Sequence, residues 1–138
     1  MDFKKDNVEK TDLEILQERA EVLGRAGEKL ALALNKLKAI ESVINVKMES
    51  LTSPGSEQSE QSEHSPADLI GDINGEIRHY NEAREYAKLR YYYLIVTREA
   101  MGFRRHKSVE EVYSIPPKKK PLTKRNNWTG TKTKESGW

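Results

Sequence analysis

The chain contains no cysteine among its 138 residues, which excludes disulfide bonds and thiolate metal sites. It also has no glycine-rich phosphate-binding loop and no nucleophile-elbow motif, so the sequence predicts a non-enzymatic protein. The N-terminal stretch MDFKKDNVEKTD lacks the apolar core of a signal peptide, and we therefore expect a cytoplasmic location.

Long hydrophobic runs are missing as well. The most apolar stretch, RYYYLIVTREAMGF at residues 90–103, contains an uncharged run of seven residues from Tyr91 to Thr97. A transmembrane helix needs roughly 20 residues, so no membrane span is predicted. Charged residues make up 33% of the chain and hydrophobic residues 36%, which fits long exposed helices better than a thick globular core.

The two signs of charge are separated along the sequence, although the net charge is only +2. Residues 104–138 contain ten Lys and Arg against three Glu, a net charge of +7. Residues 1–103 contain 14 basic and 19 acidic residues, a net charge of −5. The sequence thus predicts an acidic body that carries a basic tail.

A first helix is predicted at residues 12–51. Its start is indicated by the capping-box pattern TDLE at 11–14, with residues 1–10 predicted to be disordered. Apolar residues recur every seven positions, which is typical of a coiled-coil core: Leu16, Leu23, Leu30, Leu37, Ile44 and Leu51. A second row lies three positions before each: Leu13, Ala20, Gly27, Leu34, Glu41 and Met48.

A second helix is predicted at residues 66–103, after a flexible Ser/Glu/Gln loop at 52–65. The pattern SPAD puts Ser65 at the N-cap and Pro66 at the first helical position. Beyond Arg84 the apolar residues form two rows, so the aromatic segment is predicted to be a helix with two buried faces. The row facing the first helix comprises Ala87, Tyr91, Leu94 and Met101. The other row predicts an oligomer interface at Tyr86, Leu89, Tyr93, Val96 and Phe103.

Two helices of similar length joined by a loop predict an antiparallel hairpin in an all-α fold. Placing Leu51 opposite Ala67 brings Gly24 and Gly27 against the tyrosine-rich segment. Because two helices leave much apolar surface exposed, we expect a homodimer that forms a four-helix bundle. A short helix is predicted at 109–113, and residues 116–138 form a basic tail predicted to be disordered.

One constellation suggests a metal site. Glu41 occupies a core position where a hydrophobic residue is expected, and EIRH at 76–79 puts Glu76 and His79 on one helix face. In these three residues the chain resembles the ferritin-like di-metal carboxylate bundles. That resemblance implies iron or another transition metal as a cofactor, with an oxidase-type activity. The alternative that we favour is that Glu41 forms an ion pair with Arg78 or His79 and that no cofactor is bound.

The basic tail is the remaining candidate for function. The tail combines lysine and arginine with two tryptophans. This composition predicts a partner-binding arm formed by Lys118, Lys119, Lys120, Lys124, Arg125, Trp128 and Trp138. The sequence therefore favours a structural or adaptor protein that self-associates through its helices and binds a protein partner through this tail. Nucleic acid is the alternative partner. No small-molecule substrate is indicated.

Overall fold

The computed structural model describes residues 2–52 and 65–123, with side chains described from residue 7 onward. These ranges contain three helices, α1 (Asp2–Thr52), α2 (Pro66–Ala100) and α3 (Lys107–Val112), and no strand. The two long helices pack against each other, which confirms the predicted all-α hairpin.

Helix α1 begins at Asp2, ten residues before the predicted start. The Thr11 hydroxyl donates a hydrogen bond to the carbonyl of Asn7 at 2.8 Å, so Thr11 lies inside the helix and does not cap it. The segment before Thr11 contains neither proline nor glycine, and helix formation continues through it. The predicted disorder of residues 1–10 is therefore replaced by helix from Asp2 onward.

Helix α2 begins at Pro66 as predicted from the cap signal. The Ser65 hydroxyl accepts a hydrogen bond from the backbone N–H of Asp68 at 3.2 Å, and the Asp68 carboxylate accepts one from the N–H of Ser65. This reciprocal pair satisfies two backbone donors that the first helical turn leaves open. The helix ends at Ala100, before the predicted end at 103, because the chain turns at Gly102, which has a φ of 97°.

The chain divides into two compact units. Unit 1 comprises residues 1–35 and 85–116, and unit 2 comprises residues 36–84 and 117–138. In unit 2, Leu37 and Ile44 of the predicted heptad row are buried, together with Ile40, Ile73, Ile77 and Tyr80. Lys47 of α1 forms ion pairs with Asp72 at 2.9 Å and Glu76 at 3.4 Å of α2. These contacts show antiparallel pairing within one helical turn of the predicted register.

The core of unit 1 is formed by all three helices. Leu30, Leu94 and Val109 are buried together, and α3 with the residues after it adds Tyr113 and Ile115 to this cluster. The predicted position of Gly27 against Tyr91 is corrected here. A Cβ atom added at Gly27 would lie 3.2 Å from the Tyr113 hydroxyl, so the small residue makes room for the segment after α3.

The first part of α1 is not covered by the rest of unit 1. Leu94 is buried with Leu30, and α2 ends six residues later, so the turns of α1 before Val22 extend beyond the end of α2. Every residue from 7 to 22 is exposed. Leu13 and Leu16, predicted to be core, are 56% and 60% exposed. We call residues 7–21 the α1 overhang.

Candidate protein-interaction surfaces

Glu41 has a different partner from those predicted. Its carboxylate lies 3.6 Å from Nζ of Lys119, in the segment that follows α3. The Lys119 ammonium also lies 4.9 Å from the centre of the Tyr80 ring, a cation–π arrangement. Burial raises the pKa of the Tyr80 hydroxyl, and the negative charge of the nearby Glu41 carboxylate raises it further. Glu41, the glutamate of the predicted heptad row, thus pairs with a lysine that lies over the buried Tyr80 ring.

Glu76 and His79, the other two predicted metal ligands, do not join Glu41. Glu76 is paired with Lys47, and His79 is exposed on α2. Within the two described ranges of this single chain, no three His, Asp or Glu side chains are grouped closely enough to hold a metal ion. The di-metal prediction requires two copies of the chain and stays a prediction.

Residues 117–123, which we call the strap, lie along α2 in unit 2. The side-chain amide of Asn81 donates to the carbonyl of Lys119 and accepts from its N–H, both at 2.9 Å. Asn74 makes the same pair of bonds with Leu122, donating at 2.9 Å and accepting at 2.7 Å. The first part of the predicted disordered tail is therefore held in place by main-chain hydrogen bonds.

The side chains of the strap alternate between contact and exposure. Lys119 and Leu122 are half-buried, whereas Lys118, Lys120 and Pro121 are exposed. The other predicted tail residues, Lys124, Arg125, Trp128 and Trp138, lie outside the described residues, as does most of the predicted flexible loop.

The predicted oligomer interface forms the outer face of α2 in unit 1, with Phe103 in the turn after this helix. Its five residues are each 43–47% exposed: Tyr86, Leu89, Tyr93, Val96 and Phe103. Arg90 lies between two of the rings, with its guanidinium 5.2 Å from the centre of Tyr86 and 5.7 Å from that of Tyr93. Only the other predicted face, with Ala87 and Leu94, is buried within the chain. The second face of the aromatic segment is thus available for a partner.

A groove between α1 and α2 adjoins this face. Its apolar lining comes from Val22, Ala26 and Tyr93, together with the methyl-bearing Thr97. Three basic side chains also line it: Arg25, Lys29 and Arg90. This arrangement suits an apolar helix that carries acidic residues at its edges.

The turn between α2 and α3 is fixed by Arg98 and His106. Arg98 donates to the carbonyl of Arg105 at 3.1 Å and to Nδ1 of His106 at 3.3 Å, and its guanidinium lies 4.8 Å from the centre of the Phe103 ring. The other ring nitrogen of His106 lies 3.2 Å from the Glu99 carboxylate.

Sequence reasoning missed Asn74, Asn81 and the α1 overhang. The signal for the two asparagines was present, since asparagine is a poor helix former and here it recurs at a seven-residue interval on one face of α2.

The helices that the structure describes include none that is long and apolar enough to cross a bilayer. No known family model matches the chain, and no curated protein or solved structure is detectably similar to it. Functional proposals therefore depend on the surfaces described above.

Proposed function

We propose that this protein is a non-enzymatic adaptor that forms a homodimer through unit 1 and binds an acidic protein partner through its basic tail. The observation that carries the proposal is the α1 overhang. Leu13 and Leu16 continue the two heptad rows of α1, yet both are exposed, as is the neighbouring Ile15.

The overhang gains little stability from the rest of its own chain. Isolated helices of this length are marginal in water, and helices in proteins obtain most of their stability by packing an apolar face. A heptad row maintained over exposed turns is accounted for by a second helix that covers it. A second copy of the chain supplies such a surface without any further component.

Charge complementarity supports the second copy as the partner. Residues 9–21 carry five acidic and two basic side chains, so the overhang is acidic as well as apolar on one face. The groove of unit 1 is lined by three basic residues and opens beside the outer face of α2. In the proposed dimer, the overhang of each copy packs in the groove of the other, which is the reciprocal arrangement of a two-fold dimer.

The tail supplies the binding activity of the adaptor. Residues 104–138 carry a net charge of +7, and a dimer presents two such segments. Two linked weak sites bind a partner with two acidic patches far more tightly than either site alone.

The dimer is tested with Leu16→Lys, which places a charge in the proposed interface. Light scattering after size exclusion is expected to give a monomer. Circular dichroism is expected to show that the three-helix core of unit 1 keeps its helicity. The matched control is Leu32→Lys, at a position of α1 that is 64% exposed and outside the groove, and it remains dimeric. A dimer unaffected by Leu16→Lys contradicts the proposed interface.

The tail is tested by ending the chain after Thr123, which leaves the strap intact. This removes four of the ten basic residues and one of the three acidic residues of 104–138, so binding to immobilised polyglutamate is expected to weaken, while the dimer persists. A DNA duplex is the second probe. Tail-dependent binding to the duplex that exceeds binding to polyglutamate and falls steeply with salt would favour the nucleic-acid alternative instead.

A further inference from the structure

The strap is bound to unit 2 mainly through its main chain. Asn74 and Asn81 each contact one N–H and one carbonyl of the strap, and neither bond depends on the strap's side chains. Contacts of this kind hold an extended peptide whatever its sequence, while pockets for particular side chains supply specificity.

The spacing of the two asparagines matches that of an extended peptide. Seven residues of α helix advance about 10.5 Å. Three residues of polyproline II advance about 9.3 Å, and prolines at 116, 117 and 121 favour that conformation around Lys119 and Leu122. One face of α2 therefore presents two amides at the repeat distance of such a peptide.

The side-chain contacts define which peptide fits. Glu41 provides a negative charge and Tyr80 an aromatic ring for a single lysine, and the third residue after that lysine is a half-buried leucine. Lys120, which lies between Lys119 and Leu122 in sequence, is exposed. The preferred pattern is Lys-x-x-Leu in an extended, proline-containing segment.

We propose that this face of unit 2 is a binding site for an extended Lys-x-x-Leu segment of a partner protein, and that the strap is a tethered occupant with which the partner competes. A tethered occupant acts at an effective concentration that reaches the millimolar range for short linkers. Partner segments bind when the strap is displaced. The strap site of unit 2 is therefore closed to weak ligands and open to tight ones. The site is independent of the dimer interface in unit 1.

The test uses the full chain with Lys119→Pro and Leu122→Pro together, which we call the release variant. Proline is compatible with polyproline II. It removes the two backbone N–H groups that donate hydrogen bonds to Asn81 and Asn74. The residues of α1 and α2 that contact the strap are unchanged. The probe is a fluorescein-labelled peptide, IPPKKKPLT, corresponding to residues 115–123.

The release variant is expected to bind the peptide at least about tenfold more tightly than the wild type, because the tethered competitor is weakened. Adding Asn74→Ala and Asn81→Ala to the release variant abolishes binding, and alanine preserves the helix, as circular dichroism verifies. A peptide of the same composition in scrambled order binds at least about tenfold less tightly.

Three results would overturn the proposal. The wild type and the release variant could bind the peptide equally, or a folded release variant could fail to bind it. Either result would show that the strap is a fixed part of the fold and not a competitor. Equal binding of the scrambled peptide would reduce the interaction to net charge. If the wild type and the release variant formed a mixed dimer through the strap site of unit 2, the occupant of that site would be the tail of a second copy.

Discussion

Asn81 on α2 and Lys119 on the strap are joined by two hydrogen bonds of 2.9 Å between a side-chain amide and a main chain. The Lys119 ammonium lies 3.6 Å from the Glu41 carboxylate of α1 and 4.9 Å from the centre of the Tyr80 ring of α2, so one residue of the strap contacts both long helices. The Glu41 side chain is 46% exposed and pairs with Lys119, which accounts for a glutamate at this heptad position and separates the strap account from the metal account.

Glu41→Ala and His79→Ala are expected to behave differently. Removing the carboxylate breaks the partly exposed ion pair with Lys119, which lowers the free energy of unfolding by up to about 1 kcal/mol and frees Lys119. Hydrogen exchange at the Lys119 and Leu122 amides then becomes faster. His79 is exposed, and its loss changes stability by less than about 0.5 kcal/mol.

Under the di-metal hypothesis, the two substitutions act alike because each removes a ligand. Similar losses of bound iron and of stability in both variants would therefore contradict the strap account. Thermal unfolding with and without added iron, followed by circular dichroism, distinguishes the two.

Two glycines of α1, Gly24 and Gly27, are expected to respond oppositely to larger side chains. Nothing lies within 4 Å of a Cβ atom built at Gly24, so Gly24→Ala improves helix propensity and raises the free energy of unfolding by roughly 0.5–1 kcal/mol. Gly27→Val drives a larger side chain into Tyr113, and overpacking of this kind costs about 1–3 kcal/mol.

Urea unfolding of Gly24→Ala and Gly27→Val measures both effects, and Gly24→Val controls for the intrinsic helix propensity of valine. If Gly27→Val were no less stable than Gly24→Val, the packing of Tyr113 against α1 would be wrong.

Alkaline pH is expected to weaken the fold. Burial raises the pKa of Tyr91, as does the nearby Glu110 carboxylate, and the hydrogen bond to Asp72 raises the pKa of Lys47. A group whose pKa is higher in the folded state holds its proton more tightly there than in the unfolded chain. Its contribution to stability is complete below the unfolded pKa, about 10 for both types, and is lost as the pH rises through the folded pKa.

The free energy of unfolding is therefore expected to fall more steeply with pH above about 10 in the wild type than in Tyr91→Phe. Tyr92→Phe, at an exposed position, is the matched control and keeps a steeper fall than Tyr91→Phe. Urea titrations across the alkaline range give these slopes. Identical slopes for the two variants would contradict the burial of the Tyr91 hydroxyl.

The periodicity of apolar residues was sufficient to predict the two long helices and most of the core. Leu30, Leu37 and Ile44 recur at the interval that the hairpin buries, and the Ser65 cap fixed the start of α2. The end of α2 was harder to predict, because the apolar pattern continues to Phe103 while Gly102 turns the chain.

The candidate site was only partly predictable. Glu41 was recognised as anomalous, but its partner Lys119 lies far away in sequence, and periodicity carries no information about such a contact. The strap docks through main-chain atoms, which every residue possesses, so composition alone indicated a disordered basic tail. The exposure of Leu13 and Leu16 depends on where α2 stops, and the heptad pattern cannot distinguish a partner helix in the same chain from one in a second copy.

The central claim is that unit 1 of one copy completes unit 1 of another. A native mass spectrum of the unmodified full-length protein tests it most directly. The account predicts a species of twice 15.9 kDa that persists on dilution into the low micromolar range. A single species of 15.9 kDa at every concentration would contradict it and would leave the α1 overhang to a different partner.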